Sequence, residues 1–333
     1  MNPALASRRS ALAAMACGLL PFAAPTAHAQ GNGPQGYPNK PVRIVVPFAP
    51  GGGGDAVVRN IVEKLGERLG QQVIIDNKPG ASGYIGAQLV TSAIPDGYTL
   101  LMGFDGSLVV APNMIKAPFD ASTDFAPVTK LNDASLIIAV NPALGVRNLK
   151  ELIEVSKTRP GGVQFGSSGA GTTTHLAGEL LAIRSGMKVT HVPYKGGGQA
   201  VTDVVSGQLP MIITVIPTIA GFIQDQRLVP IAVTGPRRSS SLPDVPTVSE
   251  SGVRDFDVTS WYGILAPAKT PAAITHYLQK EIAAVLALPE VRERYAKGGF
   301  EPVGNTPEQF AVQIKDDLAR WGKVVKDASI RVD

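Results

Sequence analysis

A short apolar stretch, Val42-Arg43-Ile44-Val45-Val46, runs past Pro47, Phe48 and Pro50 into four consecutive glycines, Gly51 to Gly54, and then Asp55. From Ala56 to Leu69 apolar residues return at helical spacing, with Val57, Val58, Ile61, Val62, Leu65 and Leu69 on one face. The pattern predicts a strand that opens into a helix through a glycine-rich loop. Such a junction aims unpaired backbone N–H groups at one point and so favours an anion. Glycine lets the loop pass close to a ligand because no Cβ stands in the way. Segment 48–55 is therefore a candidate binding loop, and the chain around it is of the α/β class.

The same alternation continues. Strands are expected over 42–46, 72–76 and 98–103, with helices over 56–69 and 85–93 and turns at Asn77-Lys78-Pro79-Gly80 and Pro95-Asp96-Gly97. This β-α-β-α-β order predicts a parallel sheet covered on both faces by helices. The pattern restarts with strands over 136–140 and 163–165 and a helix over 149–157. A second glycine junction follows, Phe165-Gly166-Ser167-Ser168-Gly169-Ala170-Gly171-Thr172-Thr173, and its helix carries Leu176, Leu180, Leu181 and Ile183. A third runs from the strand 189–194 through Gly196-Gly197-Gly198. Strands at 209–215, 229–234 and 261–266 and helices over 271–286 and 307–328 complete the reading. Two α/β halves place these junctions around one cleft between domains, a preferred site for small ligands. The expected division is 37–130 with 259–333 as one domain and 131–258 as the other.

The first 29 residues read as an export signal, cleaved after Ala29. Arg8 and Arg9 form its basic start, 11–20 is mostly apolar, and Ala27-His28-Ala29 is a small-x-small cleavage site. Cys17 is the chain's single cysteine, so the processed protein has no disulfide, thiol nucleophile or cysteine-held metal. Export without cysteines suits a bacterial periplasm. Loss of Arg8 and Arg9 lowers the formal charge from +4 to +2, and no basic cluster with interleaved aromatics points to nucleic acid.

Several chemistries are opposed by the residues themselves. Gly51, Gly53 and Ala56 imitate a dinucleotide fingerprint with Asp76 as its acid, but Pro47 and Pro50 interrupt the tight turn it needs. No Walker lysine follows the glycines. Gly166-Ser167-Ser168-Gly169-Ala170 lacks the last glycine of a nucleophile elbow, and His175 lies too near in sequence to serve as its base. An exported serine esterase is the alternative from another class. His175, His191 and His276 are scattered and form no metal-ligand pair. His175 is expected to order its loop, and Asp55 to cap its helix. Trp261 and Tyr262 are assigned to core and hinge packing. Ser167 and Ser168 are expected to hold a ligand oxygen, helped by the following helix.

With these residues in view the chain resembles a known family. Tyr37-Pro38-Asn39-Lys40-Pro41-Val42, Pro47-Phe48 with the glycines and Asp55, and Pro95-Asp96-Gly97-Tyr98-Thr99-Leu100-Leu101 carry the likeness. So do Ser167-Ser168-Gly169 with Gly171-Thr172 and His175, His191-Val192-Pro193-Tyr194-Lys195-Gly196, Leu242-Pro243-Asp244-Val245-Pro246-Thr247 and Thr259-Ser260-Trp261. They resemble the Bug family, the TctC-type solute-binding proteins of tripartite tricarboxylate transporters, over essentially the whole processed chain. The resemblance implies a type II periplasmic binding-protein fold, two α/β domains that close on a small carboxylate by hinge motion. It implies no cofactor and no catalysis, a monomer, and as partners either the membrane subunits of such a transporter or a sensor kinase.

The family's two jaws carry over to 48–55 and 167–172. The ligand-binding residues expected from jaws and neighbours are Phe48, Gly51, Gly52, Gly53, Asp55, Asp105, Ser107, Ser167, Ser168, Gly169, Gly171, Thr172, His175, Tyr194 and Thr214. The chain departs from the family at Leu108, where members often have histidine, and at Pro210 and Thr214, where acids or amides are frequent. Loss of an acid facing the cleft argues against an amino-acid ligand, unless Asp105 compensates. Neither jaw holds an arginine, so helix dipoles and N–H groups are the expected anion donors.

Overall fold

The computed structural model describes residues 33–48, 50, 53–80, 83–194, 197–327 and 330. The expected export signal, Gly51, Gly52 and Gly196 lie outside them.

The first α/β unit comprises β1 (Val42–Val46), α1 (Gly53–Leu69), β2 (Val73–Asn77), α2 (Tyr84–Thr91) and β3 (Thr99–Phe104). β1 lies between β2 and β3 and is parallel to both. Its inward residues Val42, Ile44 and Val46 bury completely, with Val57, Val58, Ile61 and Leu65 of α1 packed over them. That apolar helical face is the one visible in the sequence.

β3 is not followed by an open loop. It runs into a π-helical turn, Gly106–Val110, all of it buried, and then a short 3-10 turn, Ala111–Asn113. Wide helical turns of this kind often stand at functional sites, and this one carries Asp105 at its head.

β4 (Phe125–Val140) is much longer than the expected 136–140 strand and joins two parts of the sheet. Up to Ser135 it pairs antiparallel with β9 (Thr259–Pro267). From Leu136 onward it pairs with β7 (Met211–Val215) and β8 (Val229–Val233). The expected domain boundary at 130/131 falls inside this strand. Register shifts near Pro127 and between Lys130 and Asn132 break the side-chain alternation, which hides the first half of β4 in the sequence.

The second part holds α3 (Leu149–Thr158), β5 (Val163–Ser167), α4 (Thr173–Ser185), β6 (Val189–Pro193), α5 (Gly197–Val205), β7, α6 (Ile216–Gln224) and β8. β5 is parallel to β6 and β7. The whole sheet runs β2-β1-β3-β9-β4-β7-β5-β6, with β8 and β10 (Glu301–Pro302) attached to β4. It is mixed rather than wholly parallel, because β9 and β4 run against their neighbours.

The chain then returns to the first part as α7 (Ala272–Leu286), α8 (Pro289–Lys297) and α9 (Pro307–Asp327). α8 is absent from the sequence reading, its few apolar residues being outnumbered by charges. α9 packs against β4 and the π-helical turn. Asp317 on α9 accepts from the Trp261 indole at 2.9 Å inside the core.

Candidate functional site

A cavity of about 280 Å³ opens where the two parts of the sheet meet. It lies at the lower end of the size range of ligand pockets. Its walls come from the β1–α1 loop (Phe48), the end of β3 and its helical turns (Phe104, Asp105, Gly106, Ala111, Met114, Ile115), the β5–α4 junction (Ser168, 170–174) and the crossing strands (Leu136, Val215, Ser260, Tyr262).

The aromatic wall follows from local packing. Phe48 lies 4.7 Å from Phe104 and 6.2 Å from Tyr262, centroid to centroid, in tilted and edge-on arrangements. Phe48 reaches this place because α1 opens on glycine: a Cβ at Gly54 would run into its ring. The backbone is fixed as well, since Asn77 Nδ2 donates to the Phe48 carbonyl and to Asp55 Oδ1, both at 2.9 Å.

Asp55 is fully buried in the first turn of α1, and its Oδ2 accepts from Arg59 at 2.6 Å. Because the helix opens at Gly53, Asp55 stands inside the first turn rather than at the expected cap position. A carboxylate there complements the helix dipole from within.

The β5–α4 junction is braced by its own side chains. Ser168 N donates to Thr174 Oγ1 at 3.0 Å, Thr172 Oγ1 donates to Gly169 O at 2.7 Å, and Gly171 N donates to His175 Nδ1 at 3.1 Å. Thr172 is the N-cap of α4, its hydroxyl accepting from His175 N, and the first turn contains no acid. The loop is thereby held with the head of α4 facing the cavity.

The histidines correct the expectation that they are scattered. His175 and His191 stack with ring centroids 3.7 Å apart and planes 12° from parallel. Burial and the neighbouring His175 push the His191 pKa down to about 3, so its ring stays neutral. His191 Nε2 lies 2.6 Å from Ser167 Oγ. This serine–histidine contact is absent from the sequence reading, but Ser167 is completely buried behind the loop and does not line the cavity.

Asp105 ties the walls together. Thr173 Oγ1, at the head of α4, donates to its Oδ2 at 2.6 Å, and Ser260 Oγ on β9 donates to its Oδ1 at 2.7 Å. Burial pushes its pKa up to about 6 against the lowering effect of these hydrogen bonds. Both oxygens are thus already engaged by hydroxyls.

Of the residues expected from sequence, Phe48, Asp105, Ser168, Gly171 and Thr172 line the cavity. Gly53 opens α1, and Asp55 supports Phe48 from behind. Ser107 turns back to the Phe104 carbonyl, Gly169 and His175 brace the loop, Tyr194 donates to Asp203 at 2.6 Å, and Thr214 is buried on β7. Phe104, Thr173, Ser260 and Tyr262 line the cavity but were not expected. Strand alternation offered the signal for two of them: Ser260 and Tyr262 share one face of β9, while Trp261 points to the core on the other.

The model of the tripartite tricarboxylate transporter family receptor, TctC, matches residues 57–330. The chain belongs to this family. BugT of Bordetella pertussis is 34% identical over 298 residues, covering 89% of this chain and 91% of BugT. Among solved structures, R. palustris Rpa4515 with adipate is 33% identical with a TM-score of 0.78, covering 89% of this chain and 99% of its own. The periplasmic binding protein BugD is 34% identical with a TM-score of 0.74, covering 89% and 99%. The fold is therefore that of the TctC-type periplasmic binding proteins, and the chain is a solute-binding receptor of that type.

Proposed function

We propose that this receptor captures a small organic acid in the cavity, with the carboxylate at the head of α4 and the two parts of the sheet closing around it. The supporting observation is the Asp105 contact. A single buried carboxylate from the β3 side accepts from Thr173 on α4 and from Ser260 on the crossing strand. The lobes follow the expected division with its first boundary moved from 130/131 to just after Ser135, where β4 changes partners and the hinge lies. The helix head supplies N–H groups and a positive dipole end without a cation.

In this reading the chain is a periplasmic monomer, released from its leader after Ala29. It delivers the acid to the membrane subunits of a tripartite transporter, and a sensor kinase reading the same closed form is the alternative partner. Adipate in the R. palustris relative supports an acid ligand. Two observations weigh against the esterase alternative: the Ser167–His191 pair has its serine completely buried away from the cavity, and His175 Nδ1 is held by Gly171.

Native mass spectrometry of the protein purified from periplasm without refolding tests this. A retained small acid, lost in Thr172→Val, is the expected result. A bare mass together with no thermal shift across a broad panel of acids would overturn it.

A further inference from the structure

We propose that the acid has one carboxylate on an apolar, ring-sized body, and that a second carboxylate is selected against. This rests on the acid-receptor reading above and narrows its ligand.

The polar lining is concentrated in one place. Ser168, the head of α4, and Asp105 and Ser260, which are joined to it through Thr173, supply it, whereas Phe48, Phe104, Met114, Ile115, Leu136 and the ring of Tyr262 form apolar wall. No lysine, arginine or histidine is among the described residues that line the cavity. Most of the hydroxyls there already have partners within the protein. Ser260 and Thr173 donate to Asp105, and Thr172 donates to Gly169. One carboxylate at the helix head finds N–H groups and a favourable dipole. A second, carried into the rings, would lose its hydration without a compensating cation or N–H group among the described residues there.

Two carboxylates of the protein sharpen the selection. Asp105 lies against the head of α4, held by the Thr173 and Ser260 hydroxyls, so the polar end already carries one negative charge and a ligand with two carboxylates would crowd it further. Asp55 occupies the first turn of α1, so the opposite helix carries its own negative charge. The cavity is small, and three rings within 6.4 Å of one another offer flat surfaces to an aryl or cycloalkyl body.

Titration calorimetry on the full processed receptor tests the proposal with benzoate, phenylacetate, cyclohexanecarboxylate and hexanoate against terephthalate, adipate and malate. The best monocarboxylate is expected to bind at least about tenfold more tightly than any dicarboxylate, about 1.4 kcal/mol. Benzoate against terephthalate isolates the second charge on one ring. Ile115→Arg, at an exposed position of the wall, should raise adipate affinity about tenfold, and Tyr262→Ser should weaken the best monocarboxylate about tenfold. A dicarboxylate that matches or exceeds every monocarboxylate overturns the proposal and leaves the acid-receptor reading intact. Binding of no acid at all removes that reading, and the proposal with it.

Discussion

α1 and α4 both open where a strand empties into a glycine-rich loop, and from sequence the two openings look alike. They differ in what fills them. The head of α1 holds its own anion: Asp55 is buried in the first turn and accepts from Arg59 and Asn77. The head of α4 has a threonine cap and no acid in its first turn, and it faces the cavity. The difference teaches that a glycine junction keeps its N–H groups for a ligand only when its own first turn supplies no anion; at α4 the nearby acid, Asp105, is engaged by the Thr173 and Ser260 hydroxyls instead. One jaw is a scaffold that presents Phe48, and the other is the place for a ligand's charge.

Asp105 lies between these jaws, and its titration should give the largest effect. Burial raises its pKa from 3.8 to about 6. The folded chain therefore holds a proton that the unfolded chain releases from about pH 4. This contribution to stability is fully present below that range, falls as pH rises toward 6 and levels off above it. The swing is about 3 kcal/mol, at 1.36 kcal/mol per unit. Thermal melts of wild type and Asp105→Asn between pH 4 and 7 should diverge across this window: His191, neutral when folded, makes stability rise with pH in both, and only wild type carries the opposing fall from Asp105. Parallel curves would show that Asp105 does not titrate there.

The scaffold role of the α1 head predicts a stability effect. Asp55→Ala strands the Asn77 amide and loosens Phe48, costing about 2 kcal/mol. Denaturant melts should show the loss, and Asp55→Asn should restore part of it. A variant of unchanged stability that no longer binds any acid would reverse the assignment of the two heads.

Thr173→Val removes a hydroxyl that joins α4 to Asp105. Hydrogen bonds to charged groups contribute about 1.5–3 kcal/mol, so acid affinity should fall at least about tenfold by calorimetry. Equal affinity in the variant would mean that the contact does not favour the liganded form. Ser168→Ala should have the smallest effect, about a fivefold loss of affinity with the unliganded melting temperature nearly unchanged, in keeping with a single hydrogen bond of about 1 kcal/mol. A large drop in melting temperature would make Ser168 part of the scaffold instead.

Much of the fold was legible because apolar periodicity reports burial directly. β1, β3 and the buried face of α1 appear where the pattern puts them. The first half of β4 did not show, because its register shifts spoil the alternation on which a strand reading depends. The π-helical turn was hidden for a related reason: all of 106–110 is buried, so it has no polar face to mark its period. The candidate site was legible where it follows a local motif, as at Phe48, Ser168, Gly171 and Thr172. It was not legible where distant segments converge. Asp105 meets Ser260 across a separation of 155 residues, and His175 stacks on His191 from another strand. Tyr262 was missed although alternation along β9 separates it from Trp261.

The most direct test is a crystal structure of the receptor with its tightest-binding acid. The expected result places one carboxylate oxygen within hydrogen-bond distance of N–H groups at 172–174, with the body against Phe48, Phe104 and Tyr262. A carboxylate held instead by the 51–55 loop, with the body turned toward α4, would contradict the division of labour between the two helix heads.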